Sequence, residues 1–119
     1  MHPLQELIDN INECERFNRW FSFDEFHLKA YIRLTNRYIK GEVVMAIDMA
    51  NVEVDAEYQR KGHFTKFINE LESIAKHTDR ILYVESIQHE YLYDSLLKRG
   101  YQEIDTSNFN WNVNLFKKV

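Results

Sequence analysis

The stretch VVMAIDMANVEV, Val43 to Val54, constrains this chain more than any other. It is long, valine-rich and almost continuously apolar, the pattern of a strand buried near the centre of a sheet. A turn-like segment, Asp55 to Lys61, follows it. From Gly62 onward Phe64, Phe67, Ile68, Leu71, Ile74 and Ala75 recur at the spacing of one helical face. RILYVESI, Arg80 to Ile87, then reads as a second strand. A strand, a helix and a strand in that order close almost always as a right-handed parallel crossover, so this passage predicts one parallel strand pair with the helix packed across it.

The flanking segments extend that unit. At the start, Leu4, Leu7, Ile8, Ile11, Cys14, Phe17 and Phe21 follow three-four spacing behind Pro3, which predicts a long amphipathic first helix. Phe26 to Thr35 (FHLKAYIRLT) alternates apolar and polar residues and predicts a strand. Asn36 to Glu42, with Gly41, predicts a turn or a short extra strand. A third helix is expected from about Glu90 to Arg99, ended by Gly100, with short strands at Tyr101 to Ile104 and Asn110 to Phe116. The expected fold class is therefore α/β: a mixed, mostly antiparallel central sheet flanked by helices, with one parallel strand–helix–strand crossover.

Size and charge narrow the function. The chain has 119 residues, three Gly and one Pro, which leaves no linker and predicts a single domain over 1–119. Its formal net charge of −4 argues against a nucleic-acid partner, since phosphate binding draws on a basic surplus. One cysteine, Cys14, excludes an internal disulfide, and the five histidines (His2, His27, His63, His77 and His89) show no metal-ligand spacing, so no metal is expected. With no basic leader and no long apolar run, the expectation is a cytoplasmic protein without a membrane span.

The most informative chemistry lies in YQRKGHF, Tyr58 to Phe64. Gly62 sits at a predicted helix N-terminus, where free backbone N–H groups and the positive end of the helix dipole favour an anion. Arg60 and Lys61 strengthen that field, and a pyrophosphate is the natural guest. Nothing matches G-x-x-x-x-G-K-[ST], and no G-x-G-x-x-G follows a strand, so the P-loop and Rossmann readings fail. Taken by itself, a turn glycine beside a solvated cation pair accounts for the same residues equally well.

Val54 and Tyr58-Gln59-Arg60-Lys61-Gly62 ahead of an amphipathic helix resemble the acyl-CoA signature Q/R-x-x-G-x-G/A of the GNAT superfamily of N-acetyltransferases. The later strand and helix, closing on Lys98-Arg99-Gly100-Tyr101, are similar to that family's K-x-G-[FY] ending. The likeness spans roughly residues 26 to 116 in element order. It implies that loop N–H groups around Gln59, Arg60, Lys61, Gly62, His63 and Phe64 hold the pyrophosphate of acetyl-CoA. It also implies that the strand ending at Val54 pairs with the pantetheine arm, and that the sheet splays between this strand and Arg80 to Ile87 to receive the thioester. Two positions depart from the family pattern: Phe64 stands where it has Gly or Ala, and Leu96 where it often has a Tyr acting as general acid.

An amine acceptor with pKa ~10.4 must shed a proton to attack a thioester. Asp48, which interrupts the apolar run, is the first candidate base; the competing role is a salt bridge with Arg33 or Arg37. Its same-face neighbours Ala46 and Ala50 should leave room beside it. Glu85, across the expected splay, is the second candidate, and Glu53 a weaker one. Tyr93 is the candidate acid for departing thiolate, against the alternative of a core aromatic. The expected function is acyl-CoA-dependent N-acyl transfer, by direct attack of a protein or small-molecule amine on acetyl-CoA. The alternative is a GNAT-fold binding module, weak or inactive in catalysis, acting through a protein partner.

Overall fold

In the computed structural model, which describes residues 2–13, 16–59, 61–87, 90–104 and 113–119, the crossover is present. Strand β3 (Glu42–Val54) and strand β4 (Ile81–Ile87) run parallel, joined by helix α2 (His63–His77). The remaining elements are helix α1 (Gln5–Glu13), β1 (Phe17–Phe23), β2 (Leu28–Ile39), α3 (Glu90–Lys98), β5 (Gln102–Ile104) and β6 (Val113–Lys117). Six strands form one sheet in the order β1-β2-β3-β4-β6-β5, antiparallel except for β3 and β4. This is the mixed α/β, mostly antiparallel arrangement with one parallel crossover that the sequence predicts.

The first helix is shorter than its apolar stripe suggested. Phe17 and Phe21 belong to β1 instead, paired with Leu34 and Ala30 of β2. In FNRWFSF the residues Phe17, Phe21 and Phe23 turn toward the helices while Asn18, Trp20 and Ser22 stay exposed, a period of two that aromatic side chains favour. Cys14, expected on the helical stripe, lies outside the described residues. The stretch from Asn36 is also no separate strand: β2 runs on to Ile39 and turns through Lys40 and Gly41, with φ of 49° and 86°, into β3. Two consecutive positive φ values make the tight hairpin whose twist matches its strands.

All three helices contribute to one large apolar cluster against one sheet face. Leu4, Leu7 and Ile11 from the first helix and Phe67, Ile68 and Leu71 of α2 share this cluster with the strand residues Phe21, Phe23, Ile32, Ile47, Met49 and Leu82. Phe67, fully buried, has its ring centroid 5.2 Å from that of Phe23 and 5.9 Å from that of Phe26. Among the described residues, the cluster on the opposite face, around Ile39, Ala46, Ile81, Tyr83 and Phe116, is built from strand residues alone.

The Lys98-Arg99-Gly100-Tyr101 ending has a structural reason. Gly100 has φ of 94°, and the bonds Gly100 N–H to Leu97 O and Tyr101 N–H to Leu96 O close α3 in a left-handed cap. The cap aims Arg99 and Tyr101 back at α2. Glu72 accepts from Arg99 Nη2 at 3.0 Å and from the Tyr101 hydroxyl at 2.9 Å, with Lys117 at 3.4 Å. The motif locks α3 onto the helix that carries the glycine loop.

Candidate functional site

Two features meet at the C-terminal end of β3. The first is a notch in the sheet. β3 and β4 pair over four rungs, from Ala46 with Ile81 to Met49 with Val84, and among the described residues they do not pair beyond that point, although β3 continues to Val54 and β4 to Ile87. At the same level β3 carries a bulge. Tyr31 of β2 faces Asn51 and Ile32 faces Met49, so Ala50 is the extra residue. The bulge resets the alternation, turning Val52 and Val54 toward the helix-side core. Beyond the bulge β3 is held by β2 alone among the described residues, and its other edge faces the notch.

The second feature is the start of α2. Gly62 is its N-cap, with φ of 85° and no side-chain cap. The first helical bond runs from Lys66 N–H to Gly62 O, at 3.1 Å, so the amides of His63, Phe64 and Thr65 have no acceptor within the helix. A Cβ built on Gly62 meets nothing within 4 Å, which leaves the amide cluster approachable. Lys61 adds a cation, its Nζ 5.9 Å from the Tyr58 ring. Phe64, half-buried, packs against the core with its ring 6.4 Å from Phe67 and so belongs to the apolar stripe. Arg60 and His89 lie outside the described residues.

The loop is anchored by residues whose role the sequence did not reveal. His27, at φ 53°, accepts from Asp55 N–H at 2.9 Å and stacks its ring on Tyr58, centroids 3.6 Å apart and 4° from parallel. His63 packs edge-on against both, at 4.9 and 5.4 Å. Slight desolvation and the neighbouring charges of His27, Lys66 and Lys61 hold the His63 imidazole below its ordinary range. Gln59 donates to the Val54 carbonyl at 3.1 Å, closing the loop onto the strand end.

Asp48 and Glu85 come together beside the notch, on the sheet face away from the helices. Asp48 is fully buried, so the room expected from its alanine neighbours is absent: Arg37, reaching across from β2, roofs it. Arg37 Nη2 bonds both Asp48 Oδ2 and, at 2.7 Å, Glu85 Oε2; Arg33 Nη1 reaches the same Glu85 oxygen at 3.1 Å. The Arg37 guanidinium also lies 4.4 Å over the Tyr83 ring. Asp48 Oδ1 and Arg37 Nε are buried with no hydrogen-bond partner among the described residues. Burial, reinforced by the hydrogen bond to Glu85 and opposed by Arg37, pushes the Asp48 carboxyl up to about 8. Burial also acts upward on Glu85, but its bond from Asp48 and the two guanidinium groups outweigh it and hold Glu85 below the ordinary range. The salt bridge expected for Asp48 is thus present, yet desolvation wins over it.

Tyr93 donates its hydroxyl to Glu103 of β5 at 2.9 Å while its ring packs against the core. That bond raises its pKa above the ordinary phenol value. Glu53 is exposed, opposite Lys29 in the ladder. No group of three or more His, Cys, Asp or Glu suited to a metal occurs among the described residues, and no helix among them is long and apolar enough to cross a membrane.

No family model matches the sequence, and no curated protein matches it. Among solved structures, the chain is similar to the AtaT toxin, a point mutant bound to the C-terminus of the antitoxin AtaR and to acetyl-CoA. The TM-score is 0.54 at 15% identity, over 76% of this chain and 57% of that one. The chain therefore spans little more than half the length of this neighbour, and the likeness is one of fold.

Proposed function

We propose that the chain is a GNAT-type N-acyltransferase that takes an acetyl group from acetyl-CoA and delivers it to an amine. One observation carries this reading: the amides of α2 at Gly62, with no side-chain cap, are joined by a short loop to the end of the strand whose open edge borders the notch. A pyrophosphate at the amides of His63, Phe64 and Thr65, with Lys61 beside it, is favoured by the helix dipole and the local charge. An extended pantetheine arm leaving that point meets the open edge of Ala50 to Val54, where main-chain pairing of the kind that adds a strand is available. The Val54 carbonyl is already taken by Gln59, so Gln59 supports the strand end rather than the cofactor. Arg60 is assigned to the same anion on sequence grounds.

The acceptor nitrogen then loses a proton to the carboxyl pair of Asp48 and Glu85 and attacks the thioester. Tyr93 would have to release Glu103 to act as acid, and a thiol with pKa ~8.5 departs well enough without one. The fold likeness to AtaT, whose structure contains acetyl-CoA, supports the cofactor.

The test has two arms. Acetyl-CoA should raise the melting temperature, by the equivalent of ~2.7 kcal/mol at a hundredfold excess over Kd. Labelled acetyl-CoA should also transfer its label to amines, peptides or lysate proteins. No binding at millimolar acetyl-CoA refutes the cofactor reading. Binding without transfer favours a second reading, a binding module acting through a protein partner. Phe64 at the loop and fully buried Leu96 in place of the family's tyrosine support that alternative, as does the presence of a protein partner in the AtaT structure.

A further inference from the structure

We propose that Arg37 is a positioning residue that binds Asp48 and Glu85 into one proton-sharing carboxyl pair at the apex of the notch, with the proton on Asp48 and the charge on Glu85. The inference stands on the geometry of the cluster; only its catalytic consequence rests on the acyl-transfer reading.

Both carboxyl groups accept from the same nitrogen, Arg37 Nη2, which brings Asp48 Oδ2 and Glu85 Oε2 close together. Two ionised carboxylates so near each other repel, and one proton between them removes the conflict. Burial decides which group holds it. A carboxylate offers about four acceptor sites; Asp48 is fully buried, and its Oδ1 has no partner among the described residues. Glu85 keeps a side-chain exposure of 21% and receives Arg33 and Arg37 together. The neutral acid belongs on Asp48, where it turns from acceptor to donor toward Glu85.

The groups facing the pair are Arg33 and Arg37 from β2, and Tyr83 from β4 beneath the Arg37 guanidinium. Asn114 of β6 reaches Tyr83 and adds no charge. With one shared proton the two arginines outnumber the single carboxylate, so the cluster carries a net charge of +1.

The location gives the pair its use. Asp48 lies opposite Tyr83, one rung before pairing ends, and Glu85 is the first residue of β4 beyond the last rung. Arg37 straps β2 over β3 to β4 at that point. In the transfer step Glu85 takes a proton from the acceptor ammonium, and the freed nitrogen pair forms the C–N bond. The C–S bond breaks with its electrons on sulfur, and the second nitrogen proton goes to the thiolate. Amide, thiol and protonated Glu85 result, and the pair returns its extra proton to solvent.

The experiment is a carboxyl-carbon NMR titration of the full chain labelled at Asp and Glu side chains. In the wild type the Asp48 carbon should titrate far above ~4, the ordinary Asp value, and the Glu85 carbon should respond in two steps, one of them coincident with Asp48. Glu85→Gln should shift the Asp48 titration downward, because the acceptor of its proton is gone and Arg37 is left to Asp48 alone. Arg37→Gln should shift both titrations upward and raise the acidic limb of the kcat/KM profile, with Arg37→Lys restoring part of each shift. If Arg37→Gln does not fold, Glu85→Gln and Arg37→Lys decide the matter. An Asp48 that titrates near ~4, or one unmoved by Glu85→Gln, overturns the proposal. Coupled titration in a protein that transfers no acetyl group upholds the pair and removes only the acyl-transfer reading.

Discussion

Gly62 offers the sharpest test of the loop, because its two roles separate in two substitutions. At φ 85° any side chain is strained, at about 1–2 kcal/mol for an L-residue in the left-handed region. Part of that returns through the stiffer unfolded chain, about 0.4–1 kcal/mol. Since a Cβ meets nothing within 4 Å, no clash is added. Gly62→Ala should therefore lose roughly 1 kcal/mol, or a melting temperature lower by about 4 °C for a chain of this size, and Gly62→Glu somewhat less, because its carboxylate meets the positive end of the α2 dipole.

They should differ toward acetyl-CoA. A carboxylate ~5 Å from a pyrophosphate at a wet surface costs about 1–2 kcal/mol, which weakens binding roughly 5- to 30-fold beyond the alanine variant. Titration calorimetry at low ionic strength, well below the melting temperature of either variant, reads that difference directly. Equal affinities for the two variants would show that no anion sits at the α2 N-terminus. A Gly62→Glu variant that melts below Gly62→Ala without ligand would show instead that the glycine has packing constraints the open space denies.

Lys61→Glu should raise the Kd for acetyl-CoA in low salt, with the gap narrowing at 1 M salt, where the screening length falls to ~3 Å; a gap independent of salt would refute a field effect. The His63 imidazole, held low by desolvation and by its cationic neighbours, should move up in pKa when acetyl-CoA binds, read by NMR of the ring nitrogens; no movement on saturation would argue that the phosphates bind elsewhere. Asp48 makes stability pH-dependent with a definite sign. Its folded pKa of about 8 exceeds the unfolded ~3.9, so its contribution is full below the unfolded value and is lost as pH rises toward 8, by at most ~1.4 kcal/mol per unit. Glu85, depressed in the fold, acts the other way near its unfolded value. Urea unfolding of Asp48→Asn should therefore be flatter than the wild type between pH 5 and 8, and parallel curves would refute the raised pKa.

The sequence made the β3–α2–β4 unit legible because its periodicities are long and unmixed. The first helix was overextended for a specific reason: Phe17 and Phe21 are four apart, a spacing that fits a helical stripe and a strand's alternation equally well. Only Phe23 and the exposed Trp20 break the tie. The hairpin at Lys40 was obscured because lysine is an unusual residue at positive φ. Alternation along β2 made Arg37 legible as a partner for Asp48, whereas Arg33, the other candidate, pairs with Glu85 instead. Glu85 was legible as a second base across the splay, but its pairing with both arginines was not, since that needs β2 side chains to reach over β3. The same holds for His27, which meets Tyr58 across 31 positions of chain and leaves no local signal.

A division between the sheet's two faces explains why the reactive groups can sit where they do. The helices fill one face with side chains that tolerate no charge. Among the described residues the other face has strand residues only, and its centre is covered by the guanidinium of Arg37 over Tyr83 rather than by a helix. A roof of that kind excludes water from Asp48 while itself supplying a cation, so one carboxyl can stay protonated beside another that stays charged. A methionine at position 37 would keep much of the apolar cover and lose the charge. It would leave two carboxyl groups with only Arg33 nearby, and both would then be driven toward the neutral acid. The bulge at Ala50 completes the arrangement: by turning Val52 and Val54 back to the core, it lets β3 run on past its last rung with β4 without exposing its apolar residues. The open edge of the notch and the buried acid beneath it thus depend on the same strand, one through its backbone and the other through a single side chain.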